Sequence, residues 1–199
     1  LVIDAVISTL EQGPKALQRR PIPSAQPLGE AMRIACIPDC QVKDGVRLDH
    51  LTWCGKYLAE KQPDVIVCLG DFADMPSLSS YDKGKRSYEG RRYQKDVDAV
   101  KRAMELFLNP LQRRSRYRPR MVLTLGNHEN RINKAVEDAA ILEGTISQAD
   151  LGYEGFGWKV YPYLQPVRIA GVYFSHYFPS GVMGRPCTTA RKLLATFHS

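Results

Sequence analysis

The chain has 199 residues, with 28 Lys+Arg against 21 Asp+Glu for a formal net charge of +7; 44% of residues are hydrophobic and 25% charged. That balance fits one globular domain with an appendage, or two small domains, and excludes collagen-like, coiled-coil and wholly disordered classes. No apolar run approaches the roughly 20 residues needed to cross a bilayer, and the basic and apolar stretches of a signal peptide are missing.

Val2, Ile3, Val6, Ile7 and Leu10 recur at helical spacing, which predicts an amphipathic helix over residues 1–11 stopped by Gly13-Pro14. Pro21, Pro23, Pro27 and Gly29 then predict a stiff linker. Residues 1–30 are expected to form this helix and linker, offering a contact for a protein partner or an upstream module. Residues 31–199 are expected to form the main domain. The lack of an initiator Met, and an end at Phe197-His198-Ser199, lead to the expectation of a fragment.

In the main domain, residues 32–37 read as a short buried strand. Leu48, Leu51, Cys54 and Leu58 lay one stripe on a helix stopped by Pro63, and residues 65–69 read as a second strand. Tyr93, Val97, Val100, Met104, Phe107 and Leu108 predict a long helix ended by Asn109-Pro110. Residues 121–125 read as a third strand, followed by a helix marked by Ile132, Ala135, Val136 and Ala139 that ends near Gly144. Residues 167–169 and 172–175, joined at Ala170-Gly171, read as a hairpin, and a last helix is expected near Thr188. Alternating strands and helices predict an α/β sheet with helices on its faces.

The charge is uneven. Residues 81–120 hold thirteen Lys/Arg against five Asp/Glu, so this block contains the whole positive excess. A local excess predicts a polyanionic partner such as nucleic acid or a phosphorylated substrate, or else a plain solvated face. The five cysteines, Cys36, Cys40, Cys54, Cys68 and Cys187, include no C-x-x-C pair, so zinc-knuckle and thioredoxin-type chemistry is not expected and a reducing cytoplasm is.

The residues just past each strand carry the chemistry. The first strand runs into Asp39-Cys40-Gln41, the second into Gly70-Asp71-Phe72-Ala73-Asp74, the third into Gly126-Asn127-His128-Glu129, and the hairpin into His176. A lone Asp or Asn after a strand is more often a turn or cap residue than a ligand, and a lone His is as often a hydrogen-bonded core imidazole. Convergence changes that weighting. Binding sites of open α/β sheets form at carboxyl ends of strands, and mixed Asp, Asn and His donors suit divalent metals. His50 has no carboxylate or histidine at ligand spacing and is set aside.

In their order and spacing, D-x-Q, G-D-x-x-D, G-N-H-E and the later His resemble the calcineurin-like metallophosphoesterase superfamily, and within it the tailed-bacteriophage members. The resemblance covers about residues 32–199. It implies an α/β/β/α sandwich of mixed sheets flanked by helices, and two divalent metal ions. Asp39 and Gln41 would bind the first metal, Asp71 would bridge, and Asn127 and His176 would bind the second. His128 would protonate the leaving group or steady the phosphate, and a phage-encoded chain would act in the host cytoplasm.

Two departures qualify these roles. Gln41 stands where the family has His, and an amide oxygen favours Mn²⁺ or Mg²⁺ over zinc-like ions, so Mn²⁺ is favoured while Mg²⁺, iron and Zn²⁺ stay open. The family's closing G-H-x-H motif does not occur before Ser199. Arg131, three residues after His128, is placed either to fork onto a phosphate or to face solvent. Lys83, Lys85 and Arg86, interleaved with Tyr81 and Tyr88 in the loop leaving Asp71, are candidate phosphate contacts. The leading expectation is a metal-dependent phosphodiesterase or nuclease. A phosphomonoesterase and a catalytically degenerate nucleic-acid- or protein-binding module are the alternatives.

Overall fold

In the computed structural model of the protein, the described residues are 32–178 apart from Ser115. The helix and linker expected over residues 1–30, the helix near Thr188, Cys187 and His198 lie outside them.

Short, β-rich segments pair into one parallel sheet in the order β1-β2-β3-β4. These are β1 (Ile34–Ile37), β2 (Val65–Cys68), β3 (Arg120–Thr124) and β4 (Lys159–Tyr161). Period-two alternation splits the sheet's side chains between two apolar clusters. Ile66, Cys68 and Leu123 join the cluster containing the helices, while Val65, Val67 and Val122 join Val167 and Ile169 of a hairpin. The helices are α1 (Asp49–Lys61), α2 (Tyr93–Gln112) and α3 (Asn130–Asp138). The hairpin is β5 (Val167–Ile169) paired antiparallel with β6 (Val172–Phe174). Its Ala170-Gly171 turn has φ of 47° and 83°, the left-handed pair whose twist suits a two-residue hairpin. The described residues therefore form helix, sheet and second-sheet layers of an α/β fold.

Three local readings change. Asn109-Pro110 does not end α2, which continues to Gln112 with Pro110 inside it. In the final turn a proline removes one backbone donor, a loss that packing can offset. The third helix stops at Asp138; a short 3₁₀ turn, Ala140–Leu142, then leads to Gly144. The strand β4 carried no apolar run in the sequence, yet it completes the sheet beside β3.

Helices α1 and α2 pack closely because Gly55 lies against the backbone of α2, where an added Cβ would strike the Phe107 carbonyl oxygen and meet Pro110 Cγ at 3.2 Å. Gly55→Ala is therefore expected to cost about 1–3 kcal/mol by forcing the helices apart. A urea titration that left the midpoint unchanged would contradict this packing. Among the described residues, no helix is long and apolar enough to cross a membrane.

Candidate metal and phosphate site

In the sheet register Ile37 lies opposite Cys68, and Cys68 opposite Leu123, so the next residues of β1, β2 and β3 emerge side by side. The first two connections stay tied beyond the strands. Leu69 N–H donates to Ile37 (2.9 Å), Gln41 N–H to the Asp71 carbonyl (2.9 Å), Val42 N–H to Phe72 (2.7 Å) and Asp74 N–H to Val42 (2.8 Å). The ladder opens around residues 38–40 and 70 and closes again from Gln41–Asp71 to the Val42–Ala73 bridge. Gln41 and Asp71 sit in the left-handed region at φ of 47° and 48°, a conformation of the kind that clusters where a fold constrains a functional loop. A Cβ on Gly126 would collide with the Asp71 carboxylate, so glycine here lets the second and third loops touch.

Four candidate ligands meet around His176. Its Nδ1 lies 2.9 Å from the Leu69 carbonyl oxygen, and its Nε2 lies 2.9 Å from Asn127 Oδ1. Asp71 Oδ2 is 3.5 Å from Nε2, and Asp39 Oδ1 is 3.8 Å from Nδ1. A neutral imidazole carries one N–H, which the backbone carbonyl claims at Nδ1. In that tautomer the Nε2 lone pair faces Asn127 Oδ1 and Asp71 Oδ2. Lone pairs converging in this way call for a shared cation, and an imidazole oriented by a carbonyl at its other nitrogen is the usual form of a metal-binding histidine. The donors therefore suit a divalent ion in type. Among the described residues, no three His, Cys, Asp or Glu side chains close into a ready-made cage. The amides of Asn127 and Gln41 would have to contribute, and Gln41 is joined to the cluster through its backbone N–H.

His128 occupies the other side of Asp71, with Nε2 at 3.7 Å from Oδ2 and its backbone N–H donating to Oδ1 at 2.9 Å. Its Nδ1 lies 3.0 Å from Asp74 Oδ1. Arg131 Nη2 is 3.1 Å from His128 Nε2, and since a guanidinium only donates, Nε2 accepts and Nδ1 carries the hydrogen; Nδ1 is buried and close to Asp74 without a hydrogen bond aligned to it. Burial works to raise the Asp74 pKa, but His128 and Lys43 outweigh it and bring it down to about 2, so this carboxylate stays ionised. Arg131 also donates to the carbonyls of Asp74 (2.7 Å) and Met75 (3.4 Å). Its fork is engaged with the second loop in this arrangement.

Glu129 supports both loops from below. Fully buried, it accepts hydrogen bonds from the N–H groups of Asp71 (3.0 Å), Ala73 (3.0 Å) and Gly126 (2.9 Å) and from the Tyr153 hydroxyl (3.1 Å). Burial pushes its pKa up, against the pull of the Ala73 and Gly126 donors.

The structure thus brings together Asp39, Asp71, Asn127, His128, His176 and Arg131. Lys83, Lys85 and Arg86 are exposed on the loop beyond, where Lys85 pairs with Asp82 at 3.1 Å. They do not line the cleft beside Asp74 and Arg131; Arg91, Arg92 and Lys95 do. The later cluster around Arg113 and Arg114 lies toward the amino-terminal ends of the strands, where Tyr117 donates to the Pro63 carbonyl at 2.8 Å. Sequence reasoning assigned no role to Asp74, Glu129 or Tyr153. The first two stand inside recognised motifs, but Tyr153 carries no signal.

Parallel strands whose ends gather carboxylate, amide and imidazole donors beside a histidine–aspartate pair define a class of phosphate-ester hydrolases that use metal ions. The pattern of the calcineurin-like phosphoesterases matches residues 32–188, most of the chain, and the protein belongs to that family. It is similar to the Gene 54 protein of Mycobacterium phage L5, with 33% identity over 135 residues that cover 65% of this chain and 51% of that protein. The chain spans about half the length of this phage relative. No solved structure matches it.

Proposed function

We propose that the protein hydrolyses phosphodiesters, with nucleic acid as substrate, in the host cytoplasm of a phage. The observation that carries this reading is the convergence of Asn127 Oδ1 and Asp71 Oδ2, at 2.9 and 3.5 Å, on Nε2 of His176. Asp39 and Gln41 would hold one divalent ion, Asn127 and His176 a second, with Asp71 between; Mn²⁺ suits the oxygen-rich set best. Bound there, such ions would activate water and neutralise charge on phosphoryl oxygens.

The chain's own residues do the rest. His128 delivers a proton to the departing oxygen, and Asp74 stabilises the imidazolium that must form beforehand. Protonation places a hydrogen on Nε2, which displaces the Arg131 amine and frees that arm to meet a phosphoryl oxygen. The basic character of residues 81–120 favours a polyanion over a small monoester.

Bis(p-nitrophenyl) phosphate hydrolysis is expected to require a divalent ion, to stop with EDTA and to return with Mn²⁺. Asp71→Asn is expected to lower the rate by about a hundredfold or more, since one carboxylate serves both sides of the site. A variant as active as the parent would overturn the reading. Faster turnover of a mononucleotide or phosphopeptide than of DNA would move the substrate to monoesters.

A further inference from the structure

Beside the candidate site lies a cleft of about 350 Å³, a size in the range of small-ligand pockets. Its lining includes Asp74 and Arg131 together with Arg91, Arg92 and Lys95. Asp74 and Arg131 also contact His128: Asp74 Oδ1 is 3.0 Å from Nδ1 and Arg131 Nη2 is 3.1 Å from Nε2. A group seated in the cleft is therefore separated from His128, the residue assigned to the leaving oxygen, by the Asp74 and Arg131 side chains.

The charges of the cleft divide into two sets. Lys43 is bound to Asp74 at 2.8 Å, and Arg91 to Asp82 at 2.7 Å and to the Pro76 carbonyl at 3.1 Å. Asp96 is buried and accepts the Ser77 N–H at 2.9 Å. These groups are the framework. Arg92 makes no ion pair among the described residues and donates only to the neighbouring Arg91 carbonyl, while Lys95 is 3.9 Å from Asp44 with both side chains 59% exposed. Five carboxylates line the cleft beside five cations, Asp44 and Glu89 among the former, and Glu89 is the carboxylate that no partner holds among the described residues. Arg92 stands at the start of α2 without a side-chain capping bond, and Asp96 lies in the first turn.

We propose that this cleft is a subsite for a second phosphate, the one following the leaving oxygen along a polynucleotide, held by Arg92 and Lys95. The proposal rests on the phosphodiesterase reading and narrows it: the preferred substrate carries at least two backbone phosphates, and a small diester fills only half the site. Lys83, Lys85 and Arg86, the more obvious cations of the loop, are left outside the subsite.

The test uses the full chain and a double variant, Arg92→Ala with Lys95→Ala, against two probes: a short fluorescein-labelled single-stranded oligonucleotide, and bis(p-nitrophenyl) phosphate, which has no second phosphate. Oligonucleotide binding is followed by fluorescence anisotropy in EDTA, so that no turnover is needed. The variant is expected to bind the oligonucleotide about tenfold or more weakly, from two lost charge-assisted contacts. The slope of log affinity against log salt should become shallower by about 0.7, the value for one phosphate on a single strand. Turnover of the small diester should stay within about twofold of the parent, because uniform binding to a remote group is all that is lost. Unchanged oligonucleotide affinity, or equal losses on both probes, would overturn the subsite. Failure of the parent to hydrolyse the small diester, with binding that still depends on Arg92 and Lys95, would instead remove the catalytic reading and leave the subsite in place.

Discussion

Glu129→Ala is expected to lower the stability of the domain by about 3–5 kcal/mol, a large part of what a domain of this size possesses. The side chain is fully buried and accepts four hydrogen bonds, three of them from backbone N–H groups of two different loops. Alanine leaves those donors in a dry interior with nothing to accept them, at about 1–3 kcal/mol each before relaxation. Glu129→Gln keeps one oxygen but turns an amine toward donors, so an intermediate loss is expected. Equilibrium urea unfolding followed by circular dichroism measures both. A loss below about 1 kcal/mol for the alanine variant would mean that water or a shifted loop satisfies these groups.

The largest effect on rate is expected at His128. Replacing it with alanine should reduce kcat by about 10²–10⁴-fold, the usual contribution of a positioned proton donor, with little change in stability or in KM. Asp74→Asn is the informative companion. It keeps the shape of the side chain and removes the charge that faces Nδ1. The Asp74 pKa of about 2 lies below the ordinary carboxylate value, so the charge is present above about pH 4 and is lost only as the pH falls toward 2. Without that counter-charge the imidazolium is less favoured, and the alkaline fall in the pH–rate profile should move to lower pH. A profile identical to the parent's would remove Asp74 from the proton step and leave it a loop residue held by Lys43 and Arg131.

Much of the site was legible because its donors follow apolar runs at strand ends, and parallel register turns those positions into neighbours. Asp71 and Asn127 are far apart in sequence, yet β2 and β3 pair residue for residue just before them. The illegible part depends on packing between loops. A sequence read alone offers no reason why Glu129 should take N–H groups from residues 56 and 58 positions away, or why Tyr153 should add its hydroxyl. The basic loop shows the same limit. Counting cations drew attention to Lys83, Lys85 and Arg86, whereas the Arg91–Asp82 pair and the contact of Tyr88 with the Ser77 carbonyl fold the loop so that Arg91 and Arg92 line the cleft. The three-residue β4 escaped notice because Lys-Val-Tyr has too little pattern to stand out from a loop.

The Leu69 peptide serves two structures at once. Its N–H continues the ladder to Ile37, while its carbonyl oxygen goes to Nδ1 of His176. The aim of that imidazole is thus set by main chain, which every amino acid shares. Substitutions at position 69 can alter packing, but they leave the oxygen in place as long as the strand keeps its path. The orientation of this histidine is therefore protected against point mutation in a way that a carboxylate partner would not be, and drift in the lineage can erode the side chains around it before it erodes the direction in which it points.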